Sequence, residues 1–268
     1  MISNTSEEVS YHYFFKVYIR STKTTSGSNE CTGTLISEWF VLTAAHCFKE
    51  RHPTVPVYLY MAKQLRPDII NNKKHDYASS EIYIHEKYST GNIDADIALL
   101  KTLMKVSLSA SVRPICLNMK LENTAGDFIS AGYGVIEGHQ DSDRFKMVEI
   151  RMDGKVLKKC QEAGVNNDNF TEKIICVAHP TEKRGGDVGY SGGPLMHRMK
   201  HKCPIHEEIA VLSQSNDHDQ YELPVLLFYV KIEPYISWIA NIVWPDHEPI
   251  SSTETNPSTT TTKTPAVV

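Results

Sequence analysis

The sequence has no run of about 18 apolar residues, so nothing in it reads as a membrane-spanning helix. It has no basic stripe either. Lys and Arg number 28 against 32 Asp and Glu, a net charge of −4, and nucleic acid is not an expected partner. The first 30 residues hold no apolar signal segment, and Glu7 and Glu8 fall where one would lie. No internal repeat is visible. What is present is ordinary for a soluble globular protein: 41% hydrophobic and 22% charged residues. A length of 268 residues suffices for one large domain or two lobes around a real core.

Six cysteines, an even number, suggest disulfides formed in an oxidising compartment. Asn4-Thr5-Ser6 and Asn169-Phe170-Thr171 are glycosylation acceptors in a secreted chain. Secretion is therefore the expectation, with the signal either removed or absent from this chain. Residues 1–10 are polar and expected to be loose. From Pro245 the composition turns to Ser, Thr and Pro, and residues 244–268 are expected to form a disordered, O-glycosylated tail.

Between these ends the chain reads as short strands and turns. Strand character is expected at Tyr11–Arg20, Val55–Met61, Glu81–Ile84, Phe128–Gly134, Lys146–Met152, Ile209–Gln214 and Val225–Ile232. The apolar spacing at 235, 236, 238, 239 and 242 predicts one late helix over 234–243, with Pro234 suited to its first turn. Many short strands and a single helix make the fold class all-β.

The chemistry centres on Gly189-Tyr190-Ser191-Gly192-Gly193-Pro194. A serine among glycines at a tight turn exposes a hydroxyl beside bare backbone N–H groups, which can stabilise an oxyanion while the hydroxyl attacks a carbonyl. A serine needs a base, and the base an orienting carboxylate. Upstream lie Thr43-Ala44-Ala45-His46-Cys47 and Asp94-Ala95-Asp96-Ile97-Ala98-Leu99-Leu100. Taken singly, His46 would read as a core histidine and Asp96 as a turn residue. The ordered set His46, Asp96, Ser191, spaced 50 and 95 residues, leaves those readings little room.

These three motifs resemble those of the chymotrypsin/trypsin family of serine endopeptidases, over roughly residues 11–243. The resemblance implies two antiparallel β-barrels, about 11–110 and 111–233, with the active site between them and the helix 234–243 after the second. It implies Ser191 as nucleophile, His46 as general base and Asp96 as its orienting partner, with the N–H groups of Gly189 and Ser191 as the oxyanion hole. Ser213 would support Asp96 and begin the substrate-binding strand. By the same resemblance Cys31 would pair with Cys47 and Cys160 with Cys176. Cys116 and Cys203 are left over; a bridge between them would complete the set, although sequence does not fix connectivity. Phe128 and His197 stand where the two halves of another family bridge would be, and both halves are lost together.

The sequence also departs from the family. Tyr190 stands where the family has an aspartate that pairs with an ammonium freed by proteolysis, and no Ile-Val-Gly-Gly segment precedes Cys31. Two explanations stay open. The oxyanion hole is formed by local packing with Tyr190 filling the space, or the chain is an inactive homologue acting as a binding or regulatory protein. Gly185 falls where a trypsin pocket has its acidic floor. Gln214, Ser215 and Leu227 replace residues that keep the pocket open, so the expectation is a shallow pocket favouring small apolar side chains, or one closed to substrate. His197, His201, Cys203 and His206 have zinc-type donors, but a charged surface loop is the preferred reading. No metal or cofactor is expected. The expected partners are protein or peptide substrates and protease inhibitors, and the chain is expected to be a monomer.

Overall fold

The computed structural model describes residues 14–22, 28–48, 57–61, 76–118, 128–134, 146–152, 172–178, 190–198, 206–215 and 226–246. Six strands, β1 (Lys16–Thr22), β2 (Ser28–Leu35), β3 (Phe40–Thr43), β4 (Tyr58–Met61), β5 (Tyr77–Ile84) and β6 (Ala98–Thr102), close into a barrel in the order β1-β2-β3-β6-β5-β4. Every residue of β3 is buried. An apolar strand without polar alternation needs cover on both faces, in keeping with the full burial of β3.

The second half contains β7 (Cys116–Leu117), β8 (Phe128–Gly134), β9 (Lys146–Met152), β10 (Ile174–Ala178), β11 (Pro194–Arg198), β12 (His206–Ser215) and β13 (Leu226–Lys231). Its sheet runs β10-β13-β12-β11-β8-β9, with the two-residue β7 joined in parallel to β12. The all-β, two-unit expectation is met. The second unit is drawn from the described residues as a sheet with β10 and β9 at its ends, whereas the first is closed. The strands predicted at 128–134 and 146–152 have the predicted bounds, and the others shift by a few residues at their ends.

A three-residue 3-10 turn at Glu233–Tyr235 leads into helix α1 (Ile236–Val243), with Pro234 in the turn rather than in the helix. Proline is suited there because its missing N–H would have had no intrahelical acceptor. Ile239 and Val243 face the core.

One apolar core runs through both halves. The seam between them also carries polar contacts. A buried tyrosine cluster joins Tyr18, Tyr60 and Tyr133, with Tyr133 edge-on to Tyr18 at 5.5 Å. Nearby, Thr34 Oγ1 donates to the Glu208 carboxyl at 3.3 Å. Glu208 is wholly buried and its Oε2 has no hydrogen-bond partner among the described residues. Burial pushes this carboxyl well above the usual carboxylate range, against a smaller opposing effect of the Thr34 bond.

Candidate functional site

His46 sits in the 3-10 turn Ala45–Phe48 at the end of β3. A disulfide between Cys31 and Cys47 ties this turn to β2, as the resemblance implied. Asp96 ends the short turn Ile93–Ala95, immediately before β6. Asn92 starts that turn by accepting the Asp94 N–H on its side-chain oxygen. Since β3 and β6 are paired neighbours with Thr43 opposite Ala98, the barrel itself brings the two turns together.

The Asp96 carboxylate accepts three hydrogen bonds. Oδ1 takes the His46 backbone N–H at 2.8 Å, and Oδ2 takes His46 Nδ1 at 2.7 Å and the Ser213 hydroxyl at 2.6 Å. Asp96 is buried, while the His46 side chain is one-third exposed. With Nδ1 committed as a donor, the neutral imidazole presents the lone pair of Nε2. Asp94 does not make these contacts: its carbonyl accepts the Tyr235 hydroxyl instead. Burial and then the charge of Asp96 raise the Tyr88 phenol.

Ser213 reaches Asp96 because β12 is irregular there. The register of β12 against β13 shifts between Leu212 and Gln214, which re-aims the intervening side chain. Alternation along a regular strand would not by itself have directed this hydroxyl across the seam.

The Ser191 turn is fastened to the first barrel. Thr32 N–H donates to the Ser191 carbonyl at 2.8 Å, Gly192 N–H to the Leu212 carbonyl at 2.8 Å, and Gly193 N–H to the Tyr190 carbonyl at 2.8 Å. Gly192 has φ +81°, and a Cβ there would stand 2.2 Å from Thr43 Oγ1 and 2.4 Å from the Thr32 carbonyl oxygen. Glycine is thus required both by conformation and by the approach of the histidine-bearing segment. Thr32 and Thr43, which seat this turn, were not singled out by sequence; their only signal was adjacency to Cys31 and to the histidine motif. No hydrogen bond joins the Ser191 hydroxyl to His46 among the described residues. His46 Nε2 lies 4.0 Å from Cys47 Sγ.

Tyr190 is buried. Its ring lies against Gly132, where a Cβ would come within 2.8 Å of Tyr190 Cδ1. The glycine of Gly132-Tyr133-Gly134 thereby makes room for the aromatic side chain.

Of the expected pocket residues, Ser213 is buried, Gln214 exposed and Ser215 half-buried on β12. Leu227 on β13 is buried and registered between Ser215 and Val177. Gly185 and Gly189 lie outside the described residues. Cys176 is disulfide-bonded, with its partner outside the described residues, as are Cys160 and Cys203. Cys116 corrects one expectation. It is a free, exposed thiol, so the bridge to Cys203 is not formed. The parallel pairing of β7 with β12 registers Cys116 on Glu207, four positions beyond Cys203 in the chain. Desolvation of the sulfur and the Glu207 carboxylate hold this thiol above its ordinary value.

His197 pairs directly with Phe128, their rings 6.1 Å apart, so the two positions of the lost bridge do face one another. His197 is registered on Glu207, so His206, one residue earlier, projects from the opposite face of the strand. The zinc-type donors are thus divided at these two members; His201 and Cys203 are outside the described residues. Cys31, His46 and Cys47 lie close enough to suggest metal ligation, but both sulfurs are consumed in the disulfide, leaving a single imidazole.

The trypsin family model matches residues 3–239. The chain belongs to the trypsin family. Among curated relatives of this trypsin-family chain, tissue-type plasminogen activator of Sus scrofa is 27% identical over 241 residues, covering 83% of the chain and 41% of that protein. The Bos taurus protein of the same name is 26% identical over 240 residues, covering 83% and 40%. The Mus musculus protein is 26% identical over 240 residues, covering 83% and 41%. The chain thus spans about two fifths of the length of these relatives. No helix among the described residues is long and apolar enough to cross a membrane.

Proposed function

We propose that the chain is a serine endopeptidase in which Ser191, His46 and Asp96 act as nucleophile, general base and orienting carboxylate. The observation that carries this reading is Asp96, held between His46 Nδ1 at 2.7 Å and the Ser213 hydroxyl at 2.6 Å. That arrangement fixes the tautomer a general base needs and offers a buried negative charge to the imidazolium that forms. Ser191 Oγ attacks the scissile carbonyl as His46 Nε2 takes its proton. His46 then returns the proton to the leaving amine, and water resolves the acyl-enzyme by the same route. The N–H groups of Gly189 and Ser191 stabilise the oxyanion; one such donor is typically worth about 10²–10³ in rate. The Ser191–His46 hydrogen bond closes when substrate is bound, as catalytic hydrogen bonds often do.

The site forms without proteolytic activation. The buried Tyr190 ring on Gly132 occupies the space that an ion pair would otherwise fill, and this supports a hole held by packing. A buried carboxylate without its ammonium would be costly at this position. Substrate lies along the Ser213–Ser215 edge, and the buried Leu227 makes the pocket shallow and apolar. Efficient cleavage after Lys or Arg contradicts this pocket. The peptidase unit takes residues 11–243, and the disulfides favour a secreted protein.

The open Ser191 hydroxyl favours a second reading, an inactive homologue that binds rather than cleaves. A fluorophosphonate probe separates the two. Labelling that disappears in Ser191→Ala supports the peptidase; absence of labelling in folded, disulfide-intact protein overturns it in favour of the binding protein.

A further inference from the structure

The residues on either side of Asp96 are tied to the C-terminal helix region. Before it, the Asp94 carbonyl accepts the hydroxyl of Tyr235, a residue only 3% exposed. After it, the Ile97 carbonyl accepts the His85 N–H at 3.2 Å. The buried His85 ring stands edge-on to Tyr235 at 4.9 Å and to Trp238 of α1 at 5.1 Å. The turn itself supplies little rigidity. It is a single 3-10 turn of three residues, closed by Asp96 N–H to the Ile93 carbonyl and capped by Asn92. Isolated turns of this length are not self-supporting.

We propose that Tyr235 is a positioning residue for the reaction: its hydroxyl anchors the Asp94 carbonyl and thereby fixes Asp96 against His46 Nδ1. The inference rests on the peptidase reading of the site. A phenylalanine would bury the same ring, so packing alone does not account for a hydroxyl at this depth. Burial, then the neighbouring Asp94, pushes the phenol up to about 12, so it stays a donor throughout the neutral range. A misplacement of about 1 Å at a catalytic group can cost on the order of 10²-fold in rate. Asp96 acts through His46, one step from the substrate, so a smaller loss is expected.

The test compares Tyr235→Phe with Ile239→Val, a core change on the adjoining helix α1 that lowers stability without touching the Ile93–Ala95 turn. Two quantities are read: the kcat and KM of peptide hydrolysis, and the low-field proton resonance of His46 Nδ1–H in its bond to Asp96. For Tyr235→Phe, kcat is expected to fall about tenfold with KM unchanged, and the resonance to broaden and move upfield. Ile239→Val should lower Tm and leave both readouts at wild-type values. The proposal is overturned if Tyr235→Phe changes only Tm, if both variants move the resonance alike, or if wild-type protein shows no such resonance. The resonance is measurable in a protein that does not turn over. Failure of wild-type labelling would therefore sink the peptidase reading while the resonance still decides the anchor.

Discussion

Replacing Glu208 by glutamine should remove a pH-dependent loss of stability from the seam between the two halves. The carboxyl is wholly buried, takes one long bond from Thr34 at 3.3 Å, and leaves Oε2 without a partner among the described residues. Its ionisation is held well above the usual carboxylate range by burial. A carboxyl raised in the folded state binds its proton more tightly there than in the unfolded chain. Its contribution to stability is therefore complete below the unfolded value of about 4.3 and is lost as pH rises towards the folded value. Within that window the loss is about 1.4 kcal/mol per pH unit. For a domain of this size it corresponds to roughly 3–5 °C in Tm per pH unit. Glutamine keeps the shape and does not titrate. It leaves a buried amide imperfectly satisfied, which shifts the whole curve by about 1–3 kcal/mol without giving it a slope. Calorimetric Tm measured from pH 4 to 8 with disulfides intact should thus show the gap between Glu208→Gln and wild type changing in the variant's favour as pH rises above the unfolded value, by up to about 3–5 °C per unit. Parallel curves over this range would refute the claim that Glu208 is buried and neutral.

Two further substitutions test the seating of the Ser191 turn. Gly192→Ala places a Cβ at φ +81°, 2.4 Å from the Thr32 carbonyl oxygen, and should cost about 2–5 kcal/mol and abolish fluorophosphonate labelling. Retained labelling at wild-type Tm would show that the turn is not locked against β2. Tyr190→Asp exchanges a buried ring for an unpaired carboxylate and should lower stability by about 3–5 kcal/mol, with labelling lost. Faster labelling at unchanged stability would instead mean that Tyr190 blocks the site rather than supports it.

The order of His46, Asp96 and Ser191 within their local motifs was legible along the chain, as were the all-β class and the late helix. Motif residues are adjacent in sequence, and strand or helix periodicity is a local property of side chains. Asp94 and Asp96 stand two residues apart in the sequence, and the fold gives them different partners. Asp96 meets His46, whereas the Asp94 carbonyl accepts the Tyr235 hydroxyl.

Long-range register was not legible. The bulge that aims Ser213 at Asp96 exists only in the pairing of β12 with β13. His197 and His206 look like one cluster in the sequence and are parted by strand alternation. Cys116 looked like half of a bridge, but its parallel pairing carries it to Glu207. The order of residues along the chain dictates which chemical groups it carries and the local elements that display them. Tertiary structure decided which of those groups meet, because a closed barrel and a second sheet packed across a seam bring together residues more than a hundred positions apart, such as Asp96 with Ser213 and Thr34 with Glu208.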